Sequence, residues 1–298
     1  MPKATTNGVK LEYELMGPEN GPPLLLIGGL GVQIISWTES FVAALADRGF
    51  RVIAYDNRDI GLSTKHGDWG PADIKAAFAQ ARLKQKVEAP YTLEDLADDA
   101  AGLLDALGID KAHIIGSSNG GAIAQTLAIH HPDKVSTIIS IMATSGRRGL
   151  PRPQGAVAEW LARPRNPSGT REGAMDEAVS TSYLIGSPGF ARNEQVLRSR
   201  AARLYDRSFY PAGNGRHLLA SIASGDGRVE RLSTISAPTM VIHGRDDPLV
   251  DLACAEDVKK TIPGAEMLVI DGMGHDYPDG AVPRIADAIL TTSKRATA

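Results

Sequence analysis

At 298 residues, with 32 Lys and Arg against 35 Asp and Glu, the chain is long enough for one substantial core, or a core with an inserted subdomain. A net charge of −3 argues against nucleic acid or an anionic membrane surface as the main partner, and no apolar run approaches membrane-spanning length. Cys254 is the only cysteine, and the polar Met1–Val9 stretch lacks the apolar core of a signal peptide, so a cytoplasmic protein is expected.

The chain opens as a hairpin. Asn7-Gly8 supplies the turn, and Val9, Leu11, Tyr13 and Leu15 alternate as a half-buried strand. Leu24–Ile27 is apolar on both faces, as a buried parallel strand requires, and runs into Gly28-Gly29-Leu30-Gly31. A helix pattern covers Trp37–Arg48, then a strand Arg51–Tyr55 leads to the turn-rich Asp56–Gly61. Thr92 is placed to cap a helix whose stripe is Leu93, Leu96, Ala97, Ala100, Leu103, Leu104 and Leu107. Strand His113–Gly116, helix Gly120–His130 and strand Val135–Met142 follow. Strands Met240–His243 and Met267–Ile270 and helix Val282–Leu290 complete the pattern. Such alternation predicts an α/β protein with a mainly parallel sheet and helices on both faces.

One stretch breaks the rhythm. Residues 144–232 show no convincing strand but three helical stripes: Val157, Trp160 and Leu161; Val196, Leu197, Ala201, Leu204 and Tyr205; Leu218, Leu219 and Ile222. They read as a helical cap inserted between two strands of a core formed by residues 1–143 and 233–298.

The strongest chemical signal is Gly116-Ser117-Ser118-Asn119-Gly120, a G-x-S-x-G string between a strand and a helix of small residues. A serine on that tight turn projects its hydroxyl above the sheet, and flanking glycines keep the turn open. The hydroxyl needs a base, and His275 lies in a glycine-rich loop after the last strand, at the same sheet edge. His243, at the end of a strand, is the nearest rival but reads as a packed strand-end residue. The base needs an acceptor for its second nitrogen, and the Asp246-Asp247-Pro248 turn offers two. Asp247 is the choice; Asp246 is expected to face solvent or pair with Arg245. The oxyanion hole needs two backbone N–H donors, assigned to Asn119 and to Leu30 in the loop after the Leu24–Ile27 strand.

With these residues in hand, the chain resembles the α/β-hydrolase-fold esterases, and within them proteins similar to aclacinomycin methylesterase, from about Leu11 to Ile289. The likeness is carried by Tyr55-Asp56-Asn57-Arg58-Asp59 with Gly61 and Ser63, the Ser118 turn, His243–Pro248 and Gly272-Met273-Gly274-His275. Within the insertion it extends to Pro211-Ala212-Gly213 and Ser224-Gly225-Asp226. The resemblance implies a Ser118–Asp247–His275 triad, a helical cap over it and no cofactor. Two departures stand out: Gly28-Gly29 where many relatives have His-Gly, and Asn119 where many have methionine or leucine. Both alter what lines the pocket.

The expected function is carboxylic ester hydrolysis through a Ser118 acyl-enzyme, with a lactone or C–C bond hydrolase, or a non-catalytic ligand-binding relative, as alternatives. The partner is a small-molecule ester, and neither composition nor pattern speaks to oligomeric state. Gly29, Trp37, Met142, Trp160 and Tyr205 are candidate substrate contacts. Asp56, Arg58 and Asp59 read as turn-bracing groups. Asp271, His275, Asp276 and Asp279 lack a second histidine at ligand spacing, so no metal site is expected. The arginines of the insertion (Arg147, Arg148, Arg152, Arg163, Arg165 and Arg171) are interspersed with acids and read as a solvated face.

Overall fold

Strands buried on both sides demand cover on both sides, and the sheet is built that way. The computed structural model describes residues 2–163 and 168–296. Its strands are β1 (Lys3–Thr6), β2 (Val9–Met16), β3 (Pro23–Ile27), β4 (Arg51–Tyr55), β5 (Ala112–Ser117), β6 (Val135–Ile141), β7 (Thr239–Gly244) and β8 (Glu266–Ile270). They form one sheet in the order β1-β2-β4-β3-β5-β6-β7-β8, antiparallel at β1–β2 and β2–β4 and parallel elsewhere. The pleat divides each strand between two cores: Leu25, Ile27, Ile53 and Ile114 face one, and Leu24, Leu26, Val52 and Ile115 the other.

The helices are α1 (Glu39–Ala46), α2 (Ile74–Arg82), α3 (Leu93–Ala106), α4 (Asn119–His130), α5 (Gly155–Ala162), α6 (Arg171–Ile185), α7 (Glu194–Arg207), α8 (Pro211–Ser224), α9 (Leu252–Thr261) and α10 (Val282–Lys294). α3, α4 and α9 supply the first core, through residues such as Leu96, Ile123 and Val258. α1 and α10 supply the second, through Phe41, Leu45, Ile285 and Ile289. Thr92 caps α3, as the pattern predicted, and the cap is a reciprocal box with Asp95. The first helix begins at Glu39, two residues later than expected, because Thr38 turns out of the helix and accepts a hydrogen bond from Phe41 N. α2, α6 and α9 were not expected. α2 buries only Ile74 and Ala77, and α6 only Ile185, so neither displays an apolar stripe in its sequence. No described helix is long and apolar enough to cross a membrane.

Between β6 and β7 the described chain is helical, α5 to α8, without a strand. Buried ion pairs fasten it to the turn after β4. Arg216 of α8 grips Asp59 through Nε at 2.7 Å and Nη2 at 3.0 Å, and Arg207 of α7 reaches Asp56 at 2.7 Å. Burial alone would push the Asp59 carboxyl up, but Arg216, the His66 N–H and the Tyr91 hydroxyl hold it below the usual range. Asp56 accepts from Leu62 N at 2.8 Å and Asp59 from His66 N at 2.7 Å, which braces the turn. Arg58 holds Asp99 of α3 at 2.6 Å, and Asp56 and Asp59 also clamp the helical segment to the sheet. Of the insertion's arginines, Arg147, Arg148, Arg163 and Arg171 form ion pairs, while Arg165 lies outside the described residues.

Fully buried on α8, His217 directs Nε2 to the Arg58 carbonyl at 2.8 Å. Burial pushes its pKa down to about 4, so between about pH 4 and 6.5 the unfolded chain binds the proton that the folded chain refuses. Stability is full above that window and falls by about 3 kcal/mol across it as the pH drops. The urea midpoint should fall accordingly, and His217→Gln should flatten the fall. An unchanged slope in the variant would contradict the assignment.

Candidate active site

β5 delivers Ser118 at its carboxyl end, and α4 begins immediately after it. The residue sits at φ 54° and ψ −120°, a left-handed backbone that an ordinary side chain adopts only when the surroundings hold it there. Its N–H donates to Ile141 O at 2.8 Å. The glycines are obligatory: a Cβ on Gly116 would come within 2.2 Å of Gly120 O, and one on Gly120 within 2.1 Å of Ile27 O.

Ser118 Oγ lies 3.0 Å from His275 Nε2, and His275 Nδ1 lies 2.7 Å from Asp247 Oδ2. Asp247 is 6% exposed, and its other oxygen accepts the N–H groups of Leu249 and Val250, both at 2.9 Å. Those two donors and the imidazole together fix how the carboxyl group is turned. Asp246 points the other way. It is exposed and accepts from Gly272 N at 2.8 Å, while Arg245 pairs with Asp271 at 2.5 Å rather than with Asp246. His243 is buried, places Nε2 2.7 Å from the Val250 carbonyl and lies 3.6 Å from Asp247 Oδ2. Burial pushes its pKa down, as suits a neutral packed residue.

The loop after β3 borders the serine. A Cβ on Gly29 would stand 3.0 Å from Ser118 Cβ, 2.9 Å from Ser117 O and 3.5 Å from Asn119 N, so the Gly29–Leu30 backbone passes directly over the turn. Gly29→Ala is therefore expected to displace that backbone and lower kcat by about 10²-fold with the fold intact. Steady-state kinetics beside circular dichroism will check this, and unchanged kcat would count against the loop's role.

Several positioning residues carry no local sequence signal. Gln33 donates to Leu204 O at 3.0 Å and Ser208 O at 3.1 Å and accepts from Arg207 at 2.8 Å, tying the Leu30 loop to α7. His275 N donates to Ile185 O at 2.7 Å and Gly274 N to Ser187 Oγ at 2.9 Å, tying the histidine loop to the end of α6. The Asn119 side chain accepts from Ser221 of α8.

A cavity of about 730 Å³ opens between the sheet edge and helices α5 to α8, and Ser118 and His275 lie on its wall. Gly29, Leu30, Trp37, Met142, Trp160 and Tyr205 all line it. Trp37 also packs into the core, where it stacks on Phe41. Met142 turns into the cavity from φ 43° just beyond β6. Asn119, the first residue of α4, is not among the described residues that line it.

Sheet order, the serine turn and the intervening helices define a class. The chain belongs to the α/β-hydrolase fold family, which it matches over residues 22–278. Rhodomycin D methylesterase DauP of Streptomyces sp. (strain C5) is 28% identical over 316 residues, covering 98% of each chain. The 3-oxoadipate enol-lactonase 1 of Acinetobacter baylyi is 29% identical over 265 residues, covering 89% of this chain and 86% of that one. Among solved structures, the enol-lactonase from Burkholderia xenovorans LB400 matches with a TM-score of 0.70 at 25% identity over 99% of both chains. The protein is thus an α/β-fold serine hydrolase of the esterase type, similar to methylesterases.

Proposed function

We propose that the protein is a carboxylic ester hydrolase acting through an acyl-enzyme on Ser118. The observation that carries this reading is the unbroken hydrogen-bonded chain Ser118–His275–Asp247 on the wall of a cavity. Ser118 Oγ attacks the ester carbonyl while His275 Nε2 takes its proton. The N–H groups of Asn119 and Leu30 stabilise the oxyanion, and Asp247 steadies the imidazolium. Collapse breaks the C–O bond, and His275 returns the proton to the leaving alcohol. Water, deprotonated by the same histidine, then releases the acid and restores Ser118. Residues 144–232 act as the cap that keeps bulk water from the acyl-enzyme, and Gly29, Trp37, Met142, Trp160 and Tyr205 contact the substrate. The methylesterase relatives favour a small alcohol leaving group.

A lactone is the second reading, favoured by the enol-lactonase relative; the same residues would open a cyclic ester by the same steps. A fluorophosphonate probe with peptide mass spectrometry tests both. Labelling is expected on Ser118, with ester turnover abolished in proportion. A protein that turns over esters with Ser118 unlabelled would sink the mechanism.

A further inference from the structure

α7 turns one face to the cavity. Val196, Leu197, Arg200, Ala201, Leu204 and Tyr205 fall on a single helical stripe, and all of them line it. Among these apolar and aromatic side chains stands one guanidinium. The helix's other arginines each hold a carboxylate: Arg198 binds Glu172 at 3.1 Å and Asp176 at 2.5 Å, Arg203 binds Glu39 at 3.3 Å, and Arg207 binds Asp56 at 2.7 Å. Arg200 has no ion pair among the described residues, although it is half-buried.

Arg192, just before α7, lines the same cavity. Its guanidinium lies 5.1 Å from the centre of the Tyr183 ring, and its buried Nε has no hydrogen-bond partner. The carboxylates of the cavity wall are engaged elsewhere. Glu177 holds Arg163 and the Trp160 indole N–H, Asp279 accepts from Ser40 at 2.6 Å, and Asp276 accepts from Ser187. A half-buried guanidinium among apolar side chains gives up part of its hydration, and a ligand's anion can replace it. Its planar fork matches a carboxylate, and the described lining holds no lysine to favour a phosphate dianion.

We propose that Arg200, supported by the positive field of Arg192, forms an anion subsite that selects esters carrying a second, free carboxylate. The inference rests on the ester-hydrolase reading above and names the substrate class for that site. The ester carbonyl sits at Ser118, and the remote carboxylate reaches across the apolar cavity to α7.

The test compares monomethyl esters of straight-chain dicarboxylic acids with methyl esters of fatty acids of equal length. At the length that spans the cavity, the acid-bearing ester should have a kcat/KM about tenfold or more above its neutral counterpart. Arg200→Gln should bring that ratio close to one, mainly through KM, while Arg203→Gln, on the outer face, leaves the ratio unchanged. In the wild type, added salt should raise KM for the acid-bearing ester alone, a readout that needs no variant to fold. Preference for the neutral ester at every length, or a ratio that survives Arg200→Gln, overturns the subsite and leaves the ester hydrolase standing. Turnover of neither series overturns the ester-hydrolase reading and the subsite with it.

Discussion

Ser118→Ala is expected to lower kcat/KM on p-nitrophenyl esters by about 10⁴-fold or more, with the fold unchanged. Oγ is the atom that attacks, and among the described residues no other hydroxyl hydrogen-bonds His275 Nε2. Ser117 is the neighbouring hydroxyl, but it ends β5 and its residue is buried. The strained backbone at φ 54° is set by the contacts of Gly116 and Gly120 and by the Ile141 hydrogen bond, none of which involves Oγ. Alanine therefore inherits the turn and its strain, and thermal unfolding should shift little. What remains is the contribution of the oxyanion donors and of substrate binding, a residual that such sites keep when the nucleophile is gone. Steady-state assays beside wild type decide the matter. Activity within a factor of ten of wild type would remove Ser118 from the mechanism.

Local sequence pattern reaches as far as local physics does. β3 was legible because a strand buried on both faces has no polar position to blur it, β5, β6 and β7 because each keeps an unbroken apolar pair at its centre (Ile114-Ile115, Ile138-Ile139, Val241-Ile242), and α3 because Thr92 and Asp95 form their cap within four residues. Ser118 was legible for a related reason: the glycines that relieve its turn are its immediate neighbours. α6 was not, since it buries a single residue and packs mainly on α7. Gln33 against α7 and Ile185 against His275 were also invisible. Their partners lie far off in the chain, and a hydrogen bond across that distance leaves no periodic trace. Arg200 escaped notice because it interrupts the apolar stripe of α7 that Val196, Leu197, Ala201 and Leu204 otherwise declare. The interruption is intelligible only when the cavity it faces is present.

Asp247→Asn is expected to cost about 10⁴-fold in kcat, whereas Asp246→Asn should keep activity within about a factor of ten. Adjacent in sequence, the two carboxylates turn to opposite sides of the loop after β7. Asp247 Oδ2 receives the imidazole at 2.7 Å and Oδ1 receives two backbone N–H groups. In the asparagine variant the amide oxygen is best kept by those two donors, so the NH₂ group faces His275 Nδ1. That nitrogen must then accept, the proton moves to Nε2, and the imidazole confronts Ser118 as a donor that cannot take its proton. His243 does not rescue the site: its Nε2 already meets the Val250 carbonyl at 2.7 Å, and it stands 3.6 Å from the same Asp247 oxygen. At position 246, by contrast, the bond in question is the one from Gly272 N, and an asparagine oxygen accepts it as an aspartate oxygen does. The pair of variants thus separates an acceptor that must be anionic and correctly turned from one that needs only a lone pair. Equal losses in both would mean that the loop's conformation, rather than the orientation of His275, is what Asp247 supplies.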